Sequence, residues 1–344
     1  MSHSPSFSPL VSVLMPVFHC APTLGRTMDS LLSQTLVDFE IVAVDDGSTD
    51  STAGLLREYA LRDSRVRPLF REHEGIVPAL QAGMNACCGR YIARMDGDDE
   101  SLPQRLELQA GHLASHPQTG LVSCLVRFGG SREQAAGYSH YVDWINSVRS
   151  SRELYLNRFV ESPLAHPSVM FRREVVESSG GYRDGDFPED YELWLRWMEQ
   201  GVVMEKLDRE LVVWNDPPDR LSRTHARYDV DAFYRIKSEY LARWLQRANP
   251  YHPHVWVAGA GRVSRRRADM LRQYGIVIDG YFDIDPKKIG QTIHSKPVVD
   301  RLQAPPPGEV FVLSYVGSRG AREIIREYFL SCGYEEGRDF LGAA

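Results

Sequence analysis

Short apolar runs alternate with amphipathic stretches along the first half of the chain. VSVLMPVF (11–18) and FEIVAVDDGS (39–48) are rich in valine and isoleucine and end in turn-forming residues, a pattern typical of buried parallel strands. Between them, TLGRTMDSLLSQTL places Leu24, Met28 and Leu31 on one face and therefore predicts a helix. The alternation continues through the predicted strands RVRPLF and YIARMD. Strands and helices in strict alternation predict a doubly wound α/β sheet.

A second block of strands and helices begins near residue 254. HVWVAGAGRVSRR predicts a strand, a glycine turn and a basic helix, and EVFVLSYVGSRGAREIIREYFLSCGY repeats that order. Gly259 and Gly261, followed by Asp283 and Asp285, loosely match a dinucleotide-binding fingerprint. We therefore expect a second, smaller Rossmann-like α/β domain. Two roles remain possible for this domain. It either serves in docking or homo-oligomer formation, or it binds a nucleotide or another anion.

An amphipathic stretch, YDVDAFYRIKSEYLARWLQRAN, separates the two blocks. Its basic residues stand beside aromatic ones, so the helix either lies on an anionic membrane surface or packs on its own protein as a linker. The second interpretation predicts a first domain over residues 1–227, a helical linker over 228–250 and a second domain over 251–344.

Composition narrows the class of protein. With 344 residues, 43% hydrophobic and 25% charged, the chain is long enough for two folded domains and is not a disordered chain. A net charge of −6 gives no general affinity for nucleic acid. The five cysteines form no CxxC pair, which argues against a zinc site and a disulfide framework. MSHSPSFSPL lacks the features of a secretion signal, and no apolar run reaches about 18 residues. We therefore expect a cytoplasmic protein with at most peripheral contact at the inner face of a membrane.

Two acidic clusters fall at the carboxyl ends of predicted strands. Asp45 and Asp46 follow FEIVAV, and Asp96 and Asp98 follow YIARM. Ligands of doubly wound sheets bind beyond those strand ends, so the position favours a binding site. Helix capping is the alternative. It accounts for residues 48–50 and for one acid of the second cluster, but not for the others.

The second cluster places four acids in one turn: Asp96, Asp98, Asp99 and Glu100. Such carboxylates repel one another unless a cation lies among them, and hard oxygen ligands favour Mg²⁺ or Mn²⁺. Magnesium sites usually use one or two protein carboxylates and complete their coordination with water and substrate phosphates. The cluster therefore predicts a metal-bound diphosphate as the ligand.

Four linked motifs span roughly residues 9–225: VSVLMPVF, LLSQTLVDFEIVAVDDGSTDST, ARMDGDDESLPQRLELQ and ESPLAHPSVMFRREVVESSGGYRDGDFPEDYELWLRWMEQG. In this order they resemble the inverting family 2 glycosyltransferases of the GT-A type. The resemblance implies a GT-A-like mixed sheet in the first domain. It also implies transfer of a sugar from a nucleotide-diphosphate donor, a UDP-sugar, to a hydroxyl of a glycan or lipid-linked acceptor.

The resemblance also implies roles for residues on the donor side. It places Pro16, Val17 and Phe18 at the base pocket through their backbone, Asp45 and Asp46 at the uracil or ribose, Asp96 at the ribose, and Asp98 as a ligand of the Mn²⁺ or Mg²⁺ on the diphosphate. RLSRTH (220–225) is similar to the family's late loop over the diphosphate, with Arg220 and Arg223 toward the nucleotide sugar and His225 toward the metal. The Tyr-Arg-x-His pattern common in that loop is not present here.

The acceptor side centres on PEDYELWLRWMEQG, which predicts a helix with Pro188 near its start. By resemblance, Asp190 is the catalytic base, and Glu189 and His166 contact the acceptor. Helix capping is the alternative for the two acids, and a structural role is the alternative for His166. Transfer to an alcohol needs a base for the hydroxyl proton and positive charge for the leaving diphosphate. A single base without a nucleophilic carboxylate implies inversion at the anomeric carbon.

Two other functions fit parts of the pattern. A sugar-phosphate nucleotidyltransferase shares the sheet and the acidic metal site, but its first strand precedes a glycine-rich basic loop, and MPVFHCAPTLG has no lysine or arginine before Arg26. A catalytically inactive sugar-nucleotide sensor would use the second domain for signalling. Intact Asp96, Asp98 and Asp190 argue against this second alternative.

Overall fold

The chain forms two compact units in the computed structural model, which describes residues 8–217, 220–318 and 320–344. The first unit comprises Met1–Leu154 and Pro163–His225, and the second comprises Tyr155–Ser162 and Ala226–Ala344.

An eight-stranded mixed sheet is the centre of the first unit. Its strands are β1 (Val11–Val17), β2 (Phe39–Asp45), β3 (Val66–Phe70), β4 (Tyr91–Arg94), β5 (Glu100–Ser101), β6 (Thr119–Phe128), β7 (Met170–Arg172) and β8 (Val203–Trp214). They lie in the order β3-β2-β1-β4-β7-β6-β8-β5. The first four strands in this order are parallel to one another, whereas β7 runs antiparallel to both β4 and β6. The valine-rich runs thus form the parallel half of the sheet.

Helices follow most of these strands, as the alternation predicts. They are α1 (Ala21–Leu32), α2 (Thr52–Arg62), α3 (Ile76–Ala86), α4 (Arg105–Ser115), α5 (Ala136–Ser147), α6 (Ser151–Asn157), α7 (Arg173–Ser179), α8 (Glu189–Glu199) and α9 (Leu221–Thr224). Short 3-10 turns lie at His166–Ser168 and Ala226–Tyr228.

Alternate residues of the central strand enter two hydrophobic clusters. Val13 and Met15 of β1 pack with the apolar face of α1, whereas Leu14 packs in the cluster that contains α3 and α8. Successive side chains of a strand point to opposite faces, so the sheet has helices on both sides. On α8, Trp194 and Trp197 are fully buried in the second of these clusters.

A six-stranded, mostly parallel sheet forms the centre of the second unit. Its strands are β9 (His254–Ala258), β10 (Val277–Asp283), β11 (Thr292–Ile293), β12 (Lys296–Asp300), β13 (Val312–Ser314) and β14 (Phe340–Gly342), in the order β11-β12-β10-β9-β13-β14. Only the edge pair β11–β12 is antiparallel among the described strands of this sheet. Its helices are α10 (Val230–Ala248), α11 (Arg262–Asp269) and α12 (Ala321–Ser331), with 3-10 turns at Met270–Tyr274 and Arg301–Gln303. The predicted fold class, a large mixed α/β sheet followed by a smaller α/β unit, is confirmed.

Helix α10 is part of the second unit and not a separate linker. Its apolar residues Tyr240, Leu241 and Trp244 are buried, so the face that would lie on a membrane is already covered by protein. None of the helices over the described residues combines the length and the apolar character that crossing a bilayer requires.

The segment 155–162 lies within the predicted first domain, but the structure groups it with the second unit. The indole nitrogen of Trp244 donates to the hydroxyl of Tyr155 at 2.9 Å. The buried ammonium of Lys237 donates to the carbonyl oxygen of Val160 at 3.1 Å. These long-range contacts leave no local pattern in the sequence, which is why the predicted boundary at residue 227 misses them.

Candidate active site

Asp96, Gly97, Asp98 and Asp99, which we call the acid turn, begin two residues after β4 ends. The hydroxyls of Thr23 and Thr27 on α1 both donate to the carbonyl oxygen of Gly97, at 2.9 and 3.0 Å. A Cβ atom on Gly97 would lie 2.8 Å from Cγ1 of Val17, closer than carbon atoms pack. The single glycine among the acids is therefore explained by the close approach of the turn to β1.

The structure brings the three carboxylates of the acid turn together. One oxygen from each of Asp96, Asp98 and Asp99 lies within 4.8 Å of the other two. Burial, followed by repulsion from Asp96, raises the pKa of Asp98 to about 6. Burial and then repulsion from Asp98 raise the pKa of Asp99 well above its ordinary value. The fourth predicted acid, Glu100, instead pairs with Arg26 at 3.0 Å.

Asn215, directly after β8, connects the acid turn to the far side of the sheet. Its backbone N–H donates to Oδ1 of Asp99 at 2.8 Å, and its side-chain amide donates to the carbonyl oxygen of Asp98 at 2.7 Å. Beneath the turn, the fully buried Arg105 donates to the carbonyl oxygen of Arg94 at 2.7 Å. Neither contact was expected from the sequence. The backbone of the turn is thus held from several sides, and its carboxylates are left to face one another.

Arg94, the last residue of β4, is a buried cation between the acid turn and Asp190. It is 3% exposed and forms an ion pair with Asp96. Its Nε atom is buried and donates no hydrogen bond within the described residues. Burial is the largest cause of the raised pKa values of Asp98 and Asp190, and the charge of Arg94 opposes it at both. The sequence analysis did not single out Arg94, which the structure places in electrostatic contact with both acidic groups.

The two acids after β2 have different surroundings. Asp46 accepts hydrogen bonds from the backbone N–H groups of Glu74 and Gly75, at 3.1 and 2.8 Å, at the start of α3. Asp45 accepts one from the backbone N–H of Ser48 at 3.1 Å. The carboxylate of Asp46 is thus used by the protein itself, while that of Asp45 has a single such contact. The backbone N–H of Ser48 binds Oδ1 of Asp45, so the other carboxylate oxygen of Asp45 is the one left for a ligand.

The predicted base pocket at the end of β1 contains a stack of three aromatic rings. Pro16 and Val17 are buried within β1, whereas Phe18 is 39% exposed. The ring of Phe18 stacks on His19 and His73, with centroids 3.9 and 4.2 Å away. The structure thus places side-chain rings at the strand end where the sequence predicts backbone contacts to a base.

Asp190 and Glu189 occupy the first turn of α8, as predicted. Glu189 is buried and Asp190 is half-buried. Burial and then repulsion from Glu189 raise the pKa of Asp190 to about 7, and Asp96 adds to the rise. A capping carboxylate at a helix N-terminus is normally held in its charged form. Oδ1 of Asp190 does accept a hydrogen bond from the backbone N–H of Tyr191 at 2.7 Å, but burial and Glu189 outweigh its lowering effect on the pKa.

His166 lies in a buried pair with Tyr182. Its Nε2 atom is 2.6 Å from the hydroxyl of Tyr182, and its ring meets Trp194 edge to face at 5.9 Å. Burial, assisted by the charge of Arg94, lowers the pKa of His166 well below its ordinary value, so the ring is neutral. His166 therefore packs within the interior beside the site.

The late loop contributes arginines with unequal surroundings. Arg223 pairs with Asp216 at 2.6 Å, whereas the guanidinium of Arg220 lies over aromatic rings. His225 is exposed and lies outside the metal-type cluster, which contains only the acid-turn carboxylates among the residues described. Residues 218 and 219 of the same loop lie outside the described residues.

In the second unit, the acid of the predicted fingerprint, Asp283, is hydrogen-bonded to the backbone of the glycine turn. Asp283 accepts hydrogen bonds from the backbone N–H of Ala260 at 2.8 Å and of Asp285 at 2.9 Å, and Lys288 lies 3.2 Å from it. In a dinucleotide site the fingerprint acid faces the ribose. Here that carboxylate is occupied by backbone donors.

The fold of the chain is similar to that of a solved structure over most of its length. The Staphylococcus aureus protein TarS, residues 1–349 in complex with UDP-GlcNAc, superposes with a TM-score of 0.51 at 15% identity, over 77% of this chain and 80% of that one. At this identity the similarity concerns the fold alone, which is the GT-A fold.

Sequence comparisons define the class more narrowly. Residues 12–180 match the family described as glycosyl transferase family 2. The O-antigen biosynthesis glycosyltransferase WbnJ of Escherichia coli is 30% identical over 243 residues, which cover 69% of this chain and 90% of that protein. The amylovoran biosynthesis glycosyltransferase AmsE of Erwinia amylovora is 32% identical over 213 residues, which cover 60% and 72%. The chain therefore belongs to glycosyltransferase family 2, and the predicted enzyme class is confirmed.

Proposed function

We propose that this glycosyltransferase moves a sugar from a UDP-sugar to a hydroxyl group of a growing glycan or lipid-linked acceptor, with inversion at the anomeric carbon. One observation supports the proposal most directly. Burial and the neighbouring Glu189 raise the pKa of the Asp190 carboxyl group to about 7, and this group lies within electrostatic range of Asp96 in the acid turn. A base poised near neutral pH beside a diphosphate site is what direct displacement by an alcohol requires.

The acid turn fits a divalent cation by the chemistry of its donors. Three carboxylates lie within 4.8 Å of one another, and Oδ2 of Asp99 is buried with no hydrogen-bond partner among the described residues. Hard oxygen donors of this kind suit Mn²⁺ or Mg²⁺. Asp98 and Asp96 would hold the ion, with Asp99 behind them. When bound, the cation would neutralise negative charge on the leaving diphosphate.

The transfer step can be written from the residues of the chain. The carboxylate of Asp190 takes the proton of the acceptor hydroxyl, whose oxygen bonds to the anomeric carbon on the face opposite the diphosphate. The bond from that carbon to the diphosphate oxygen breaks, and its electron pair leaves with the nucleoside diphosphate. The proton ends on Asp190. Because one displacement occurs without a covalent enzyme intermediate, the configuration inverts.

The proposed substrate classes rest on the residues at the ends of β1 and β2 and on what similar proteins are named for. The ring stack around Phe18 suits a nucleobase at the end of β1. The carboxylate oxygen of Asp45 that Ser48 does not contact suits a ribose hydroxyl at the end of β2. The UDP-GlcNAc complex of TarS makes UDP the first nucleotide to test. The names of AmsE and WbnJ concern amylovoran and O-antigen biosynthesis, so a growing surface polysaccharide is the acceptor class that we propose.

The test begins with calorimetric titration of the full chain with UDP and GDP, each with and without Mn²⁺. We expect UDP binding that depends on Mn²⁺ and is lost in Asp98→Ala. Asp190→Asn should keep nucleotide affinity within about twofold while transfer from a panel of UDP-sugars falls by about two to four orders of magnitude. Transfer by Asp190→Asn at the wild-type rate would show that another group is the base.

A further inference from the structure

Arg220 stacks on two aromatic rings beside the acid turn, and it forms no ion pair within the described residues. Its guanidinium carbon lies 4.7 Å from the ring centroid of Tyr138 and 4.5 Å from that of Trp214. The two rings are themselves 5.1 Å apart, edge to face. The Nη1 atom of Arg220 is buried without a hydrogen-bond partner among the described residues. Aromatic faces therefore fix the position of this cation.

The aromatic pair is connected to the acid turn through the backbone. Trp214 is followed directly by Asn215, which donates to the carboxylate of Asp99 and to the carbonyl oxygen of Asp98. Trp214, whose ring stacks on Arg220, therefore directly precedes the residue that binds the acid turn, and this places the guanidinium near the carboxylates.

Neighbouring arginines are already neutralised by single carboxylates. Arg26 pairs with Glu100 at 3.0 Å, and Arg223 pairs with Asp216 at 2.6 Å. Over the part of the chain that is described, no carboxylate lies within ion-pair distance of Arg220. Of these three arginines, Arg220 is therefore the one whose charge is not assigned to a single carboxylate among the described residues.

We propose that Arg220 is a counter-cation of the acid turn, which weakens the binding of a divalent metal alone and makes metal and nucleoside diphosphate bind cooperatively. The inference rests on the proposed function and concerns the regulation of the same site. A metal ion arriving alone meets repulsion from a fixed guanidinium. A diphosphate arriving with the metal supplies negative oxygens that the planar guanidinium binds well, so the repulsion becomes attraction. By linkage, each ligand then raises the affinity for the other by the same factor.

Two affinities of the full chain test this. The affinity for Mn²⁺ alone is measured from the electron paramagnetic resonance signal of free Mn²⁺, and the affinity for UDP in saturating Mn²⁺ is measured by calorimetry. We expect Arg220→Gln to bind Mn²⁺ alone on the order of tenfold more tightly and UDP on the order of tenfold more weakly than the wild type. Arg220→Lys retains the charge and should keep the weak affinity for Mn²⁺ alone.

Arg127→Gln is the matched control, because it also removes one positive charge from the first unit. Arg127 is exposed and already pairs with Glu210 at 3.1 Å, so its loss should leave the affinity for Mn²⁺ unchanged. Unchanged or weaker binding of Mn²⁺ alone by Arg220→Gln would overturn the inference, as would equal tightening in the control. If the wild type binds neither UDP nor GDP with Mn²⁺, the proposed function fails, while the measurement with Mn²⁺ alone still decides the role of Arg220.

Discussion

Replacing the proposed base, Asp190→Asn, should make the folded protein more stable at neutral pH. The pKa of Asp190 in the folded chain is about 7 against an ordinary value of 3.8. Each unit of that difference corresponds to about 1.4 kcal/mol, which gives about 4 kcal/mol in total. Because the side chain is only half-buried, solvent screening leaves roughly half of this, about 2 kcal/mol. Asparagine has nearly the same shape and does not ionise, so it avoids the cost.

The sign of the effect predicts a characteristic pH dependence. Below pH 3.8 the folded and unfolded chains both hold the proton, and the carboxyl group does not change the free energy of unfolding. Between pH 3.8 and about 7 the unfolded chain releases the proton while the folded chain retains it, so the wild type loses stability as the pH rises. Above pH 7 the loss is complete. The advantage of the asparagine variant should therefore grow from pH 4 to pH 7 and then stay constant.

Thermal unfolding followed by circular dichroism at pH 5, 6, 7 and 8, without metal or nucleotide, measures this advantage. About 2 kcal/mol corresponds to a melting temperature roughly 4 to 8 °C higher for a unit of this size at pH 8. Asp186→Asn, an exposed aspartate shortly before α8, is the control and should change stability by less than about 0.5 kcal/mol. An Asp190→Asn variant that melts below the wild type at pH 8, or whose gain is equal at pH 5 and pH 8, would refute the reasoning.

Three further predictions concern the acid turn, its glycine and the second unit. Asp98→Ala should weaken Mn²⁺-dependent UDP binding by at least about tenfold, since it removes one of the crowded oxygen donors, and calorimetry with and without Mn²⁺ measures the loss. Gly97→Ala should lower stability by about 1 to 3 kcal/mol, because its Cβ would lie 2.8 Å from Cγ1 of Val17, and urea unfolding measures the change. The fragment 251–344 should not fold alone, because it lacks both α10 and segment 155–162 of its unit; a cooperative thermal transition of the isolated fragment would contradict this.

The acid turn is predictable from sequence because its signals are local. Four acids within five residues follow an apolar run, and the carboxyl end of a parallel strand is a known location for ligands. The position of Asp190 in the first turn of a helix is local in the same way, since Pro188 marks the helix start. Its raised pKa is only partly local, because burial and Asp96 depend on the folded chain, whereas Glu189 is its neighbour in sequence.

The amino-acid sequence contains little or no indication of the other residues that surround the acid turn. Asn215 lies 117 residues after Asp98 and is an ordinary loop residue in the sequence, so only the folded chain brings the two together. Arg94 offered a weak signal: a cation inside an otherwise apolar strand needs a partner, and Asp96 stands two residues later on the same side. The assignment of His225 to the metal stays a prediction of the family pattern, and the structure places His225 outside the carboxylate cluster.

Residues 155–162 belong to the second unit although the chain around them belongs to the first, and this affects how the protein folds during its synthesis on the ribosome. The ribosome completes the first unit at His225, when most of the second unit has not yet been made. Until α10 emerges, Tyr155 lacks its contact with Trp244 and Val160 lacks its contact with Lys237, so both groups remain solvated. The first unit must therefore fold with a short loop extruded from its middle, and release of a truncated chain would leave that loop as an exposed, protease-sensitive site.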